Sequence, residues 1–154
     1  MLDLQPPVLA PFCTLEVELG PLMNLGMGRA GQRRIIPIIG GRVTGKVSGR
    51  ILNLGADWQT VFQDGVADLD ARYAFETEDG ATIEVVNQGF RHGPPEVMKR
   101  LGAGEKVDPT EYSMRSVAKL ETGHADYQWL NRVLFVGTGA RNASSVQIDL
   151  YAIS

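Results

Sequence analysis

The stretch Asp68-Leu69-Asp70-Ala71-Arg72-Tyr73-Ala74-Phe75-Glu76-Thr77 decides how this chain is read. At the strand period of two, Asp70, Arg72, Ala74 and Glu76 share one face, and Leu69, Ala71, Tyr73 and Phe75 share the other. One face is apolar and aromatic, while the other alternates charges of opposite sign. A sheet built this way predicts a polar-lined cavity, with Asp70, Arg72 and Glu76 pointing into it. The competing arrangement turns the charges to solvent and makes the aromatics the core.

The flanks of this stretch extend the strand pattern. Asp64-Gly65 precedes it and Asp79-Gly80 follows it, and each dipeptide lies between strand-like runs, the strongest short-range hairpin signal. Residues 55–62 form the strand before, residues 81–90 the strand after. Further out, residues 11–19 alternate cleanly, and residues 35–39 are β-branched but interrupted by Pro37, which predicts an edge strand or a bulge. Residues 20–32 read as a loop, and Gly40-Gly41 as a turn into residues 42–50. Residues 112–122, 132–139 and 145–152 complete the strands, with Tyr127, Trp129 and Asn131 in a short connection between the first two.

One helix is expected, over residues 94–101. Its prolines fit the first turn, Glu96 suits the positive end and Lys99-Arg100 the negative end, with Gly102 to terminate it. Eight to ten short strands, mostly joined by hairpins, predict an all-β antiparallel barrel or sandwich. Closure removes exposed edges, and a barrel of about eight strands holds a small ligand, as lipocalins do. The expectation is one β-barrel domain over residues 1–154.

Composition narrows the function. The 154 residues are 44% hydrophobic and 21% charged, as in ordinary globular chains, and 18 glycines suit a fold with many turns. A net charge of −3 argues against nucleic acid or an anionic membrane as partner. The single cysteine, Cys13, permits no internal disulfide and fits a reducing compartment. With two histidines and no CxxC or HExxH pattern, no metal site is expected. Residues 1–7 lack the basic and apolar regions of a signal peptide, and no apolar run spans a bilayer, so a cytoplasmic address is expected.

Beyond the first stretch, Asp57-Trp58 sets a carboxylate beside an indole, where apolar surroundings raise a carboxyl pKa next to a stacking surface. Trp58 as core and Asp57 as a turn cap is the plainer alternative. Along residues 81–92, Ile83, Val85, Asn87, Gly89 and Arg91 share one face, and neither face is cleanly polar. Arg115 and Glu121 either join the charged interior or form a solvated pair. His92 stands at a strand end, where bonding to backbone competes with a general-base role. No GxSxG elbow or Ser-His-Asp arrangement supports a serine nucleophile. Gly137-Thr138-Gly139 lacks the third glycine and following helix of a phosphate loop, and reads better as close backbone approach or a bulge.

Residues 35–41 (Ile-Ile-Pro-Ile-Ile-Gly-Gly), 55–59 (Gly-Ala-Asp-Trp-Gln), 70–73 (Asp-Ala-Arg-Tyr), 127–131 (Tyr-Gln-Trp-Leu-Asn) and 135–141 (Phe-Val-Gly-Thr-Gly-Ala-Arg) together resemble domain-of-unknown-function family 3237. The resemblance spans residues 12–153. It implies a calycin-like β-barrel, a dimer, and a small-molecule enzyme or binder. The matching polar positions Asp57, Asp70, Arg72, Arg115, Glu121 and Asn131 are implied to line the cavity. Ala118 and Leu120 depart from the family pattern, which has proline and an aromatic there.

The expected function is a cofactor-independent lyase or isomerase acting on a small aromatic or carbonyl metabolite. Asp57, Asp70, Arg72 and Glu76 are its expected catalytic residues. Trp58, Arg115, Glu121, Trp129 and Asn131 are expected to bind substrate. The partners expected are a small-molecule ligand and a second copy of the chain. A non-catalytic binding barrel is the alternative, favoured by a mostly apolar lining, and a barrel filled by side chains is the third possibility.

Overall fold

The computed structural model describes residues 1–154. Nine strands run in chain order: β1 (Leu9–Leu19), β2 (Met23–Met27), β3 (Gln32–Gly45), β4 (Gly49–Val61), β5 (Ala67–Thr77), β6 (Thr82–His92), β7 (Ser113–Glu121), β8 (Leu134–Arg141) and β9 (Ser145–Ile153). The helix α1 (Pro95–Gly102) links β6 to β7, and a 3-10 segment (Ala125–Arg132) links β7 to β8. The sheet order is β1-β9-β8-β7-β6-β5-β4-β3-β2, and β1 also pairs with β3. Eight strands therefore close an antiparallel barrel, and β2 hangs outside it on the edge of β3. Closure leaves the ring without open edges.

Closure depends on Gly41, which sits at φ 130° opposite Val17 in the β1–β3 pairing. A Cβ there would collide with the backbone carbonyl of Glu16. Both Asp-Gly pairs make the expected hairpins, with Gly65 and Gly80 at φ 87° and 91°. Pro37 falls where the β3–β4 register shifts, the bulge its sequence requires.

Three segments differ from expectation. The loop expected over residues 20–32 contains β2, whose residues are all exposed and so carry no burial pattern to read. Gly40-Gly41 is not a turn, because β3 runs through it to Gly45. The connection holding Tyr127, Trp129 and Asn131 is a 3-10 segment.

The inner face follows the register. Leu69, Ala71, Tyr73 and Phe75 on β5 lie beside Gly89, Asn87, Val85 and Ile83 on β6. At the end closed by the 3-10 segment the interior is mostly apolar, with Thr77 and Thr122 buried at its margin. Phe75, Ile83, Leu130 and Phe135 are fully buried, and Phe12 stacks on Phe135 at 4.9 Å and meets Trp129 edge-on at 5.8 Å. The opposite end carries α1, which buries Val97 and Leu101. No helix is long and apolar enough to cross a membrane.

Candidate functional site

Toward the α1 end, the inner face becomes polar. Arg34 on β3 pairs in register with Gln59 on β4, and two residues along each strand Ile36 pairs with Asp57. Asn87 and Arg91 occupy the inner face of β6, and Arg141 ends the inner face of β8. Each is placed by the same period of two that buries its apolar neighbours.

These side chains form a connected arm and an unpaired pair. Arg34 donates from Nη2 to Gln59 Oε1 at 2.6 Å, and Gln59 donates from Nε2 to Asp57 Oδ2 at 2.6 Å. The Asp70 backbone N–H donates to Asp57 Oδ1 at 3.0 Å. Arg91 is 6% exposed, yet it belongs to none of the chain's ion pairs, which are Arg42–Glu16, Arg50–Glu76, Arg100–Glu105 and Arg100–Glu111. The Nε atoms of Arg34 and Arg141 are buried without an acceptor. Arg141 is anchored instead through its backbone N–H, which donates to the Tyr112 hydroxyl at 2.8 Å.

Electrostatics follow from burial and crowding. Burial pushes the Asp57 carboxyl above its ordinary range, against hydrogen bonds from Gln59 and Asp70 and the charge of Arg91 that pull it back. Burial, then Arg141 and Arg34, bring Arg91 down to about 10, so it stays protonated at neutral pH. Burial likewise lowers Arg34 and Arg141. Asp57 is the one carboxylate acting on these three guanidiniums.

Beside Asp57 lies an internal cavity of about 40 Å³, walled by Leu69, Ala71, Met114 and Ile148 and reached by Tyr73, Asn87 and Ser116. The Tyr73 hydroxyl and Asn87 Oδ1 are buried there with no protein partner. Buried polar groups rarely go unpaired, and a void this size admits water or one small polar group. No cluster of three His, Cys, Asp or Glu side chains is placed to hold a metal ion. Arg34, Arg91 and Arg141 lie beyond the cavity's wall, nearer the α1 end, and a group of guanidiniums suits an anion.

Only Asp57 of the expected site residues reaches this interior. Asp70, Arg72 and Glu76 point outward, correcting the expectation that they line the cavity: the inner face of β5 is the one carrying Tyr73 and Phe75, both buried. Burying aromatics is favourable and burying three charges is costly, which decides the orientation. Asp70 accepts from Gln88 Nε2 at 3.0 Å and shares an outer groove with Arg115. Trp58, Arg72 and Glu121 share another outer groove with Glu84. Glu76 pairs with Arg50 at 3.3 Å in the open. Trp129 packs on Phe12, and Asn131 holds the backbone of Thr122, accepting from its N–H and donating to its carbonyl at 2.9 Å each.

The residues missed by the sequence reading are Arg34, Gln59 and Arg141. Their signal was periodic: Arg34 precedes Ile36 and Ile38 by even steps, Gln59 follows Asp57 by two, and Arg141 follows Gly139 by two. Asn87 and Arg91 share a face with Ile83 and Val85 in the sequence reading and carry no role there.

The family described as "Protein of unknown function (DUF3237)" matches residues 7–153. UPF0311 protein blr7842 from Bradyrhizobium diazoefficiens is 46% identical over 140 residues, covering 91% of this chain and 92% of that protein. The crystal structure of the conserved protein of unknown function RPA1785 from Rhodopseudomonas palustris superposes with a TM-score of 0.93 at 41% identity, over 98% of this chain and 100% of that one. That of a beta-barrel like protein, ABAYE2633, from Acinetobacter baumannii AYE gives 0.88 at 42% identity, over the whole of both chains.

Proposed function

We propose that this chain, which belongs to the DUF3237 family, is a cofactor-independent enzyme of the lyase or isomerase type, moving a proton on a small aromatic or carbonyl metabolite. The observation carrying this reading is Asp57: a carboxyl raised above its ordinary range, beside a cavity with unpartnered polar groups. A base needs a pKa closer to the working pH than a solvated aspartate offers, and burial supplies that shift. Gln59 and the Asp70 N–H fix the carboxylate, so one lone pair is aimed while Arg34 holds Gln59. Arg91, buried on the inner face of β6 without an ion-pair partner, is the cation this reading assigns to the substrate's oxygen. Positioned proton transfer contributes about 10²–10⁴-fold, enough for an activated carbon acid.

The test is solvent deuterium incorporation next to the carbonyl, followed by NMR across a panel of small aromatic and aliphatic ketones and keto acids. The wild type speeds exchange of at least one compound, and Asp57→Asn lowers that rate by about 10²–10⁴-fold. Equal exchange by both proteins would reject Asp57 as the base.

A second reading, a non-catalytic binding barrel, draws support from the cavity lining, where nine of 13 residues are hydrophobic. It predicts ligand binding that Asp57→Asn leaves without any change in turnover. Either reading has the chain working in the cytoplasm, in keeping with one free buried thiol. It also has the chain working as a homodimer, with the exposed Met23, Leu25 and Met27 of the β2 edge strand as the contact. Light scattering that gives a monomer mass at working concentration would remove the dimer.

A further inference from the structure

Charge arithmetic at the α1 end asks for more than a neutral carbonyl compound. Three guanidiniums, Arg34, Arg91 and Arg141, act on one another and on a single carboxylate. Arg34 is committed to Gln59, and through it to Asp57. Arg91 is buried and has no ion-pair partner. A further guanidinium, that of Arg141, is left with its Nε buried and no acceptor. Desolvating cations without partners is costly, and like charges side by side make it costlier, unless a bound anion offsets them. Deeper in the barrel the Asn87 oxygen and the Tyr73 hydroxyl are also unpartnered, at 4% and 3% exposed, while Arg141 itself is half-buried.

From this arrangement, and resting on the acid–base reading above, we infer that the substrate is a small carboxylic acid whose carboxylate is held by Arg91 and Arg141. The planar fork of a guanidinium matches the two oxygens of a carboxylate, and two forks from β6 and β8 approach it from separate strands. The fold brings the two side chains to one end of the inner face: Arg91 pairs in register with Met114 of β7, and the Met114 side chain lies over Gly139, two residues before Arg141. The substrate class is therefore an enolisable keto or aryl acid. Its acid group sits at the arginine pair, and its reacting carbon faces Asp57.

Malonate and its neutral diamide, malonamide, separate this class from neutral ligands, and inorganic phosphate separates it from phosphate recognition. Isothermal titration and thermal melting at fixed ionic strength are the readouts. Malonate should bind saturably and raise the melting temperature, with malonamide and phosphate at least tenfold weaker. Arg141→Gln should weaken malonate at least tenfold, and Asp57→Asn should bind it as well as or better than the wild type, since a repelling carboxylate is gone. Should Arg141→Gln fold poorly, Arg91→Gln replaces it, with the circular dichroism spectrum as the control. Equal binding of malonate and malonamide, or tighter binding of phosphate, would overturn the inference. Failure here is distinguishable from failure of the acid–base reading. Malonate binding without exchange in any keto acid removes the chemistry and keeps the carboxylate site. Exchange in a neutral ketone without malonate binding does the reverse.

Discussion

Gln59 donates to the carboxylate of Asp57 at 2.6 Å while its own carbonyl takes a hydrogen bond of the same length from Arg34. The amide is thus oriented from both sides, and its donor can point only at Asp57. That hydrogen bond favours the charged carboxylate and opposes the upward push of burial. Gln59→Leu removes it and keeps the volume, so the carboxyl rises further. The acidic limb of the pH–rate profile should move to higher pH, and a carbon-detected NMR titration of Asp57 should show the same displacement. An unmoved titration would mean that Gln59 does not set the base.

Asp57 also fixes the sign of a stability effect. Its folded pKa lies above the ordinary value of 3.8, so between those two values the folded chain holds a proton the unfolded chain has lost. Stability from this group therefore falls as pH rises from about 3.8 through the folded value, and is level above and below that window. Asp57→Asn lacks the slope. The difference between the two proteins' urea-unfolding free energies, measured across acid pH, should change in that window in favour of the variant as pH rises. A flat difference would contradict the raised carboxyl.

Arg91 should weaken the fold that holds it. It is 6% exposed, has no ion-pair partner, and is crowded by Arg141 and Arg34. A buried charge whose desolvation no partner offsets is costly, so an apolar group of similar length in its place is expected to be neutral or stabilising. Arg91→Met should melt no lower than the wild type while losing turnover and carboxylate binding, the trade expected where function requires unsatisfied charge. A large drop in melting temperature would show instead that Arg91 is a structural strut.

How much of this was legible in the sequence depended on which force decided each feature. The barrel was legible, because alternation in β1, β5 and β9 and the Asp-Gly hairpins reflect local rules that tertiary packing did not override. The orientation of β5 was not: period two divides a strand into faces but does not say which face is inside. Charges on a barrel strand look alike in either orientation, and Asp70, Arg72 and Glu76 turned out to be the outer set. The true interior charges hid beside apolar residues of the same face, Arg34 before Ile36 and Ile38, and Arg91 after Ile83 and Val85. A lone polar residue on an otherwise apolar face was the better signal than a fully charged face.

Asn131 illustrates a site residue whose role lies elsewhere. Its side chain accepts from the N–H and donates to the carbonyl of Thr122, pinning the 3-10 segment to the end of β7. Asn131→Ala leaves both backbone groups without these partners and should cost about 1–3 kcal/mol. Because the α1 end is remote from this clip, carboxylate binding and exchange should stay within twofold of the wild type. A selective loss of activity with an unchanged melting temperature would restore Asn131 to the site.

Cys13 lies on β1 in the core and is 4% exposed. Burial first, and the charge of Asp149 second, push its thiol up to about 12. The thiolate is the reactive species, and at pH 8 its population at that value is about four orders of magnitude below the thiol. A disulfide reagent at pH 8 should therefore leave the native protein unlabelled, and should label one thiol per chain once denaturant unfolds it. Labelling should track global unfolding, with its midpoint at the midpoint of the circular dichroism transition, because Cys13 pairs on both sides, to Gly45 of β3 and Leu150 of β9. Labelling well before that midpoint would show that the β1–β3 seam, held by Gly41, opens on its own ahead of the barrel.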